Sequence, residues 1–120
     1  MAVRPPTDLH LRVSLSPKFA FGPGKANLLE SVAETGSISA AAKAMRMSYR
    51  RAWLLLDEMN RHFREPVVAK TKGGKGGGGG ARLTPAGETV VSLYRSIESR
   101  SQRAAAASIA KLRALTSDHA

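Results

Sequence analysis

Residues 34–63, ETGSISAAAKAMRMSYRRAWLLLDEMNRHF, constrain the fold of this chain more than any other stretch. Ser39 can cap a short helix over Ala40–Met45, whose small alanines let a neighbouring helix approach closely. Arg46 and Met47 make a turn, and Ser48 then caps a longer helix that Pro66 closes. In that helix Ala52, Leu55, Leu56, Met59 and Phe63 recur at helical spacing as one apolar stripe, with Arg50, Leu54 and Arg61 opposite. A short alanine-rich helix followed by one with a basic head and an apolar back is the sequence form of a helix-turn-helix. In that motif the second helix enters the major groove of DNA.

Charge points the same way. The 120 residues carry 19 Lys and Arg against 9 Asp and Glu, a net of +10. Residues 43–82 hold ten of the basic residues and three of the acidic ones, so +7 of that excess sits around the motif. Such clustering is the electrostatic footprint of a nucleic-acid binder. The absence of cysteine excludes disulfides, thiolate metal sites and cysteine nucleophiles. No apolar run approaches a bilayer span and no signal-peptide core opens the chain, so a cytoplasmic, nucleoid-associated protein without membrane contact is expected.

The flanking segments supply a sheet and a long helix. Residues 1–8 read as a flexible tail around Arg4-Pro5-Pro6. Leu9, Leu11, Val13 and Leu15 alternate with His10, Arg12 and Ser14, the period of a half-buried strand ended by Ser16-Pro17. Phe19 and Phe21 lead to Gly22-Pro23, which starts a helix with Leu28, Leu29, Val32 and Ala33 on one side and Gly36 as its stop. Val67–Lys72 and Ala81–Thr84 are short strands joined by the glycine run 73–80, a basic wing over residues 67–84. A lone hairpin is marginal, so Leu9–Leu15 is expected to join it as a third strand. Thr84-Pro85 opens a helix that can run to about Leu115, with a stripe of Val90, Leu93, Tyr94, Ile97 and Ala104 before the phase shifts. So small a body cannot cover so long a stripe, and residues 99–120 are expected to be a dimerisation arm.

The runs TGSISAAAKAM, MSYRRAW, LDEMN and GGKGGGGGARLTPAG together resemble the DNA-binding domain of the ModE family of molybdate-responsive transcriptional regulators. More distantly the chain is similar to the winged helix-turn-helix of LysR-type regulators, whose wing also ends in a stretch like Leu83-Thr84-Pro85-Ala86-Gly87. The likeness covers residues 9–98. It implies a mainly α fold with a small antiparallel β-sheet, a winged helix-turn-helix with a long C-terminal helix, and a homodimer. Regulators of the ModE type carry molybdate-binding modules after this domain, and the sequence stops where they would begin, so molybdate binding is not expected.

The candidate DNA contacts are Ser48, Tyr49, Arg50, Arg51 and Leu54 of recognition helix 48–63, Ser39 and Lys43 before it, and Lys70, Lys72, Lys75 and Arg82 of the wing. Arginine is the commonest reader of guanine, although the same side chains can hold phosphates without reading sequence. Arginines in a first helical turn also oppose the helix dipole, a cost more easily explained by contact than by decoration. Ser48 is first a cap, and Tyr49 can pack on Trp53. Trp53 reads as core or groove-edge packing rather than a stacking platform, because single-strand readers need several exposed aromatics. The glycine run lacks the GK[ST] of a phosphate-binding loop. His10, His62 and His119 are far apart, and Asp57-Glu58 diverge on a helix, so neither a metal, a cofactor nor catalysis is expected.

These readings converge on a sequence-specific regulator of transcription that binds double-stranded DNA as a homodimer. Its dimer contacts would come from the C-terminal helix, with residues 9–35 as a second candidate. A sequence-indifferent nucleoid protein and a winged-helix protein adaptor are the alternatives.

Overall fold

The computed structural model describes residues 8–71 and 80–117. The flexible-tail reading of residues 1–7, the wing residues Lys72 and Lys75, and most of the glycine run fall outside that range. Two short antiparallel ribbons and four helices follow in the order β1 (Val13–Ser16), β2 (Phe19–Phe21), α1 (Pro23–Thr35), α2 (Ile38–Ala44), α3 (Tyr49–His62), β3 (Val68–Thr71), β4 (Gly80–Leu83) and α4 (Pro85–Ala114). This is a mainly α winged helix-turn-helix with a long C-terminal helix.

The helix ends follow from local chemistry. Pro23 opens α1, and Gly36, at φ 71°, closes it in the left-handed conformation that costs glycine nothing. Ser37, not Ser39, then caps α2, accepting from the Ala40 amide at 3.1 Å. Because Gly36 stops α1 abruptly, the next helix starts two residues earlier than the spacing suggested, and Ser39 lies inside it. Ser48 accepts from the Arg51 amide at 3.0 Å and Thr84 from the Gly87 amide at 3.0 Å, capping α3 and α4 as expected.

Leu28, Leu29 and Val32 of α1, Met59 of α3 and Val67 form the centre of the core, and Ala41 and Ala42 let α2 approach closely. Each large side chain so buried contributes about 1.5–3 kcal/mol relative to exposure. Of the apolar stripe expected on α3, Ala52, Leu56 and Met59 are buried, while Leu55 and Phe63 pack partly covered against them. On α1, Ala33 is exposed and Ala26 takes the buried place instead.

The expected three-stranded sheet does not form among the described residues. β1 pairs with β2, and β3 pairs with β4. Alternation over Leu9–Leu15 marked an extended segment but not its partner. Asp8 and Leu11, ahead of β1, are held against α4, where the Tyr94 hydroxyl donates to the Leu11 carbonyl at 2.6 Å and the Asp8 amide donates to Gln102 at 3.2 Å. The Ser16-Pro17 turn then folds the chain back, so that Phe19 and Phe21 form a second strand with both rings buried. The wing ribbon finds its support elsewhere: the Ala81 amide donates to the Gly36 carbonyl at 2.9 Å.

α4 buries Gly87, Val91 and Tyr94; of the stripe read from the sequence Tyr94 alone is buried and Val90 packs partly covered against the core. Leu93 and Ile97 are exposed, at 61% and 40%. Beside the buried face lies an ion network: the Arg95 guanidinium holds Glu30 of α1 through two nitrogens, at 2.7 and 3.2 Å, with Asn27 at 2.7 Å and Glu98 at 2.8 Å. Partial burial works against the Arg95 charge, but hydrogen bonds and attraction from Glu30 and Glu98 outweigh it and raise its pKa above the ordinary arginine value.

Gly87 sits where α4 meets Val67, just ahead of β3, and a Cβ there would overlap the Val67 carbonyl oxygen. That carbonyl also accepts from the Thr84 amide at 3.0 Å, so it is not free to move. Alanine would gain about 1 kcal/mol of helix propensity. The overlap costs about 1–3 kcal/mol and falls on backbone, so Gly87→Ala is expected to lower the melting temperature. A raised melting temperature would show that the helix can step aside.

Candidate nucleic-acid interface

At about 100° per residue, the side chains of α3 leave in four directions. Ala52, Leu56 and Met59 face the core. Opposite them, Arg50, Leu54, Asp57 and Arg61 face outward, and Leu54 is 46% exposed. Leu55, Glu58 and His62, in line with Arg51, form one flank. There Glu58 lies 3.6 Å from Lys25 of α1, and His62 stacks on Phe19 of β2 at 4.6 Å between ring centroids. Trp53 and Asn60 form the other flank, where the wing attaches.

That attachment is made by one side chain. Asn60 accepts from the Val67 and Val68 amides at 2.8 and 3.2 Å and donates to the Val68 carbonyl at 3.1 Å. Together with the Gly36–Ala81 bond, it sets the wing beside the recognition helix. Sequence reasoning missed Asn60. Its only signal was a lone amide on the less polar flank of an otherwise well-patterned helix.

The described candidate contact residues Ser39, Lys43, Ser48, Tyr49, Arg50, Arg51, Leu54, Lys70 and Arg82 are all exposed. Ser48, Arg50, Arg51, Leu54, Leu55, Glu58 and Arg61 line one surface depression where the outward face of α3 meets the Arg51 flank. The acids beside it are engaged, Glu58 with Lys25 and Asp57 with Arg61 at 3.0 Å. Arg50 and Arg51 make no side-chain hydrogen bond or ion pair among the described residues. The head of α3 therefore carries uncompensated positive charge, and α3 has no acid in its first turn.

Two expectations need correction here. Of the two places read for Trp53, core and groove edge, the core is excluded, since Trp53 is 39% exposed on the wing flank, and Tyr49, at 54%, makes no ring contact with it among the described residues. Lys70 pairs with Ala81 and Arg82 with Ala69, so the two cations leave the wing ribbon on opposite faces. The turn into α3 also carries strain: Arg46 adopts φ 57°, left-handed and uncommon for a residue with a Cβ.

Among the described residues no cluster of His, Asp or Glu could hold a metal, and no helix is long and apolar enough to cross a membrane.

Residues 25–88 match the bacterial regulatory helix-turn-helix protein, lysR family. The chain is 47% identical over 77 residues to the molybdenum-pterin-binding protein MopB of Rhodobacter capsulatus, covering 64% of this chain and 28% of that protein. It is 37% identical over 97 residues to the DNA-binding transcriptional dual regulator ModE of Escherichia coli K12, covering 81% of this chain and 37% of the relative. The chain thus spans about a third of the length of the curated relatives it matches. Among solved structures, the CbnR DNA-binding domain in its complex with DNA superimposes with a TM-score of 0.55 at 22% identity, over 73% of this chain and 94% of that one.

Proposed function

The chain belongs to the lysR family of bacterial regulatory helix-turn-helix proteins, and on that premise we propose that it is a homodimeric transcriptional regulator that binds double-stranded DNA sequence-specifically. The observation that carries this reading is the pair Arg50, on the outward face of α3, and Arg51, on the adjoining flank, exposed and unpaired among the described residues, while the neighbouring acids Asp57 and Glu58 are already engaged. In this reading the first turn of α3 enters the major groove. Ser39 and Lys43 of α2 hold the backbone beside it, and Lys70, Arg82 and the rest of the wing grip phosphates or the minor groove. Tyr49 and Leu54 offer apolar contact to base edges. The name of the Escherichia coli relative, a DNA-binding regulator of transcription, supports the same reading.

The homodimer rests on α4. Its last buried residue is Tyr94, and twenty further helical residues extend beyond it. Val90, Leu93 and Ile97 join Val13, Leu15 and Phe21 around an apolar groove of about 180 Å³, combining the C-terminal helix with residues 9–35. A two-fold pairing across this groove would set two recognition helices about one duplex turn apart, or a multiple of it, on a near-palindromic site. Leu93→Glu with Ile97→Glu is expected to convert a dimer into a monomer of 12.8 kDa in sedimentation velocity. A parent protein already monomeric at micromolar concentration would remove the homodimer.

The direct test is selection of bound sequences from random duplex, followed by competition of the selected site against random DNA at physiological salt. Enrichment of a palindromic site with a preference of ~10³-fold or more is expected for a specific regulator. Equal competition by random duplex would instead establish a sequence-indifferent binder.

A further inference from the structure

The flank of α3 opposite the wing is built from the β1–β2 ribbon and the start of α1. Arg12, just ahead of β1, and Lys18, in the turn between the strands, are exposed, and neither side chain makes a hydrogen bond or ion pair among the described residues. Arg12 and Arg51 line the same concavity, whose floor includes Gly22, Met47 and Leu55. Arg12 also lines the next concavity along the ribbon, together with Ser14, Ser16 and Lys18. A tract of positive charge therefore continues from the head of the recognition helix through Arg12 to the ribbon's tip.

The acids near this tract do not cancel it. Glu58, the nearest on α3, lies 3.6 Å from Lys25, and that lysine also donates to the Ala20 carbonyl at 2.8 Å. Stacking of Phe19 on His62, and edge contacts of Phe19 and Phe21 with Phe63 at 5.4 and 6.1 Å, fasten the ribbon to the C-terminal end of α3. The ribbon is thus rigidly registered to the recognition helix, as Asn60 registers the wing on the other flank.

We propose that the β1–β2 ribbon is a second wing: Arg12 and Lys18 hold duplex phosphates on the side of the major groove opposite the glycine-rich wing. This rests on the DNA-binding reading above and extends it to a part of the chain outside the matched family region, which begins at residue 25. The position fits a phosphate backbone rather than base edges, since Arg12 and Lys18 stand beside the flank of α3 and not on the turn that enters the groove. A duplex gripped on both flanks of α3 is held against rotation about the helix axis, which keeps Arg50 and Arg51 in register.

The test compares the full chain with Arg12→Ala plus Lys18→Ala, measuring affinity for one duplex across a range of salt concentrations. Each phosphate contact contributes about 0.9 to the slope of log K against log salt. The double variant is expected to flatten that slope by about 1.8, to weaken equally on selected and random duplex, and to lose ethylation interference at phosphates beyond the groove on the side away from the wing. Both residues are exposed and make no side-chain bond among the described residues, so the melting temperature should hold. An unchanged slope and an unchanged interference pattern would overturn the second wing while leaving the regulator reading intact. No duplex binding by the parent chain would overturn both.

Discussion

Replacing Arg50 and Arg51 together by alanine is expected to cost about 1–3 kcal/mol of discrimination for each bidentate bond to a base that the change removes, or roughly 5- to 150-fold per arginine. Thermal stability should not fall. Both side chains are exposed, and neither makes a hydrogen bond or ion pair among the described residues. Both also lie in the first turn of α3, where the helix dipole favours acids and none is present. Removing two cations there is worth about 0.3–1 kcal/mol each in the stabilising direction. The opposed signs make the experiment clean: binding of the selected site weakens while the melting temperature holds or rises. Affinity for random duplex should fall less, by the phosphate contribution alone. If selected and random duplex weaken equally, the two arginines hold phosphates and sequence is read elsewhere. If neither weakens, the head of α3 does not face DNA.

A large loss of stability is expected from a single polar substitution at Asn60. Asn60→Ala removes three hydrogen bonds and leaves the Val67 and Val68 amides and the Val68 carbonyl without that partner. Each buried group left unsatisfied costs about 1–3 kcal/mol. Because these sites are part-buried, water can recover some of that, and a total of about 2–4 kcal/mol is expected. Asn60→Asp should be milder: the carboxylate still accepts from both amides but places charge beside the Val68 carbonyl. The functional consequence is separable from the thermal one. Below the melting temperature, hydrogen exchange at Val67 and Val68 should accelerate more than at Leu28 or Val32 of the core. Uniform acceleration would mean that Asn60 supports the whole fold rather than the wing.

Helix α3 was legible because everything that defines it is local. Its serine cap, its basic head and its apolar spacing all lie within residues 48–63, and the folded helix runs Tyr49–His62 behind the Ser48 cap. Gly36 and Thr84-Pro85 were legible for the same reason, since a left-handed stop and a capped proline start need no distant partner. The cap of α2 was misplaced by two residues because Ser37 and Ser39 offer equal chemistry. The choice fell to where α1 ended.

What resisted reading was every question of partnership. Leu9–Leu15 announced an extended segment, yet nothing in its alternation says whether it pairs with the wing or lies on α4. Tyr94 and Gln102 settle that from more than eighty residues away. The stripe on α4 follows from spacing alone, but in the fold Arg95 meets Glu30 of α1 and Leu93 and Ile97 stay outside. Asn60 and Gly87 are ordinary letters in a helix until Val67 is brought against both.

Periodicity and capping are encoded within a few neighbouring residues, so the chain alone dictated a helix-turn-helix with a charged head. Burial and hydrogen-bond satisfaction belong to pairs of segments distant in the chain. Only when those segments packed together did the β1–β2 ribbon and the wing come to stand on opposite flanks of α3.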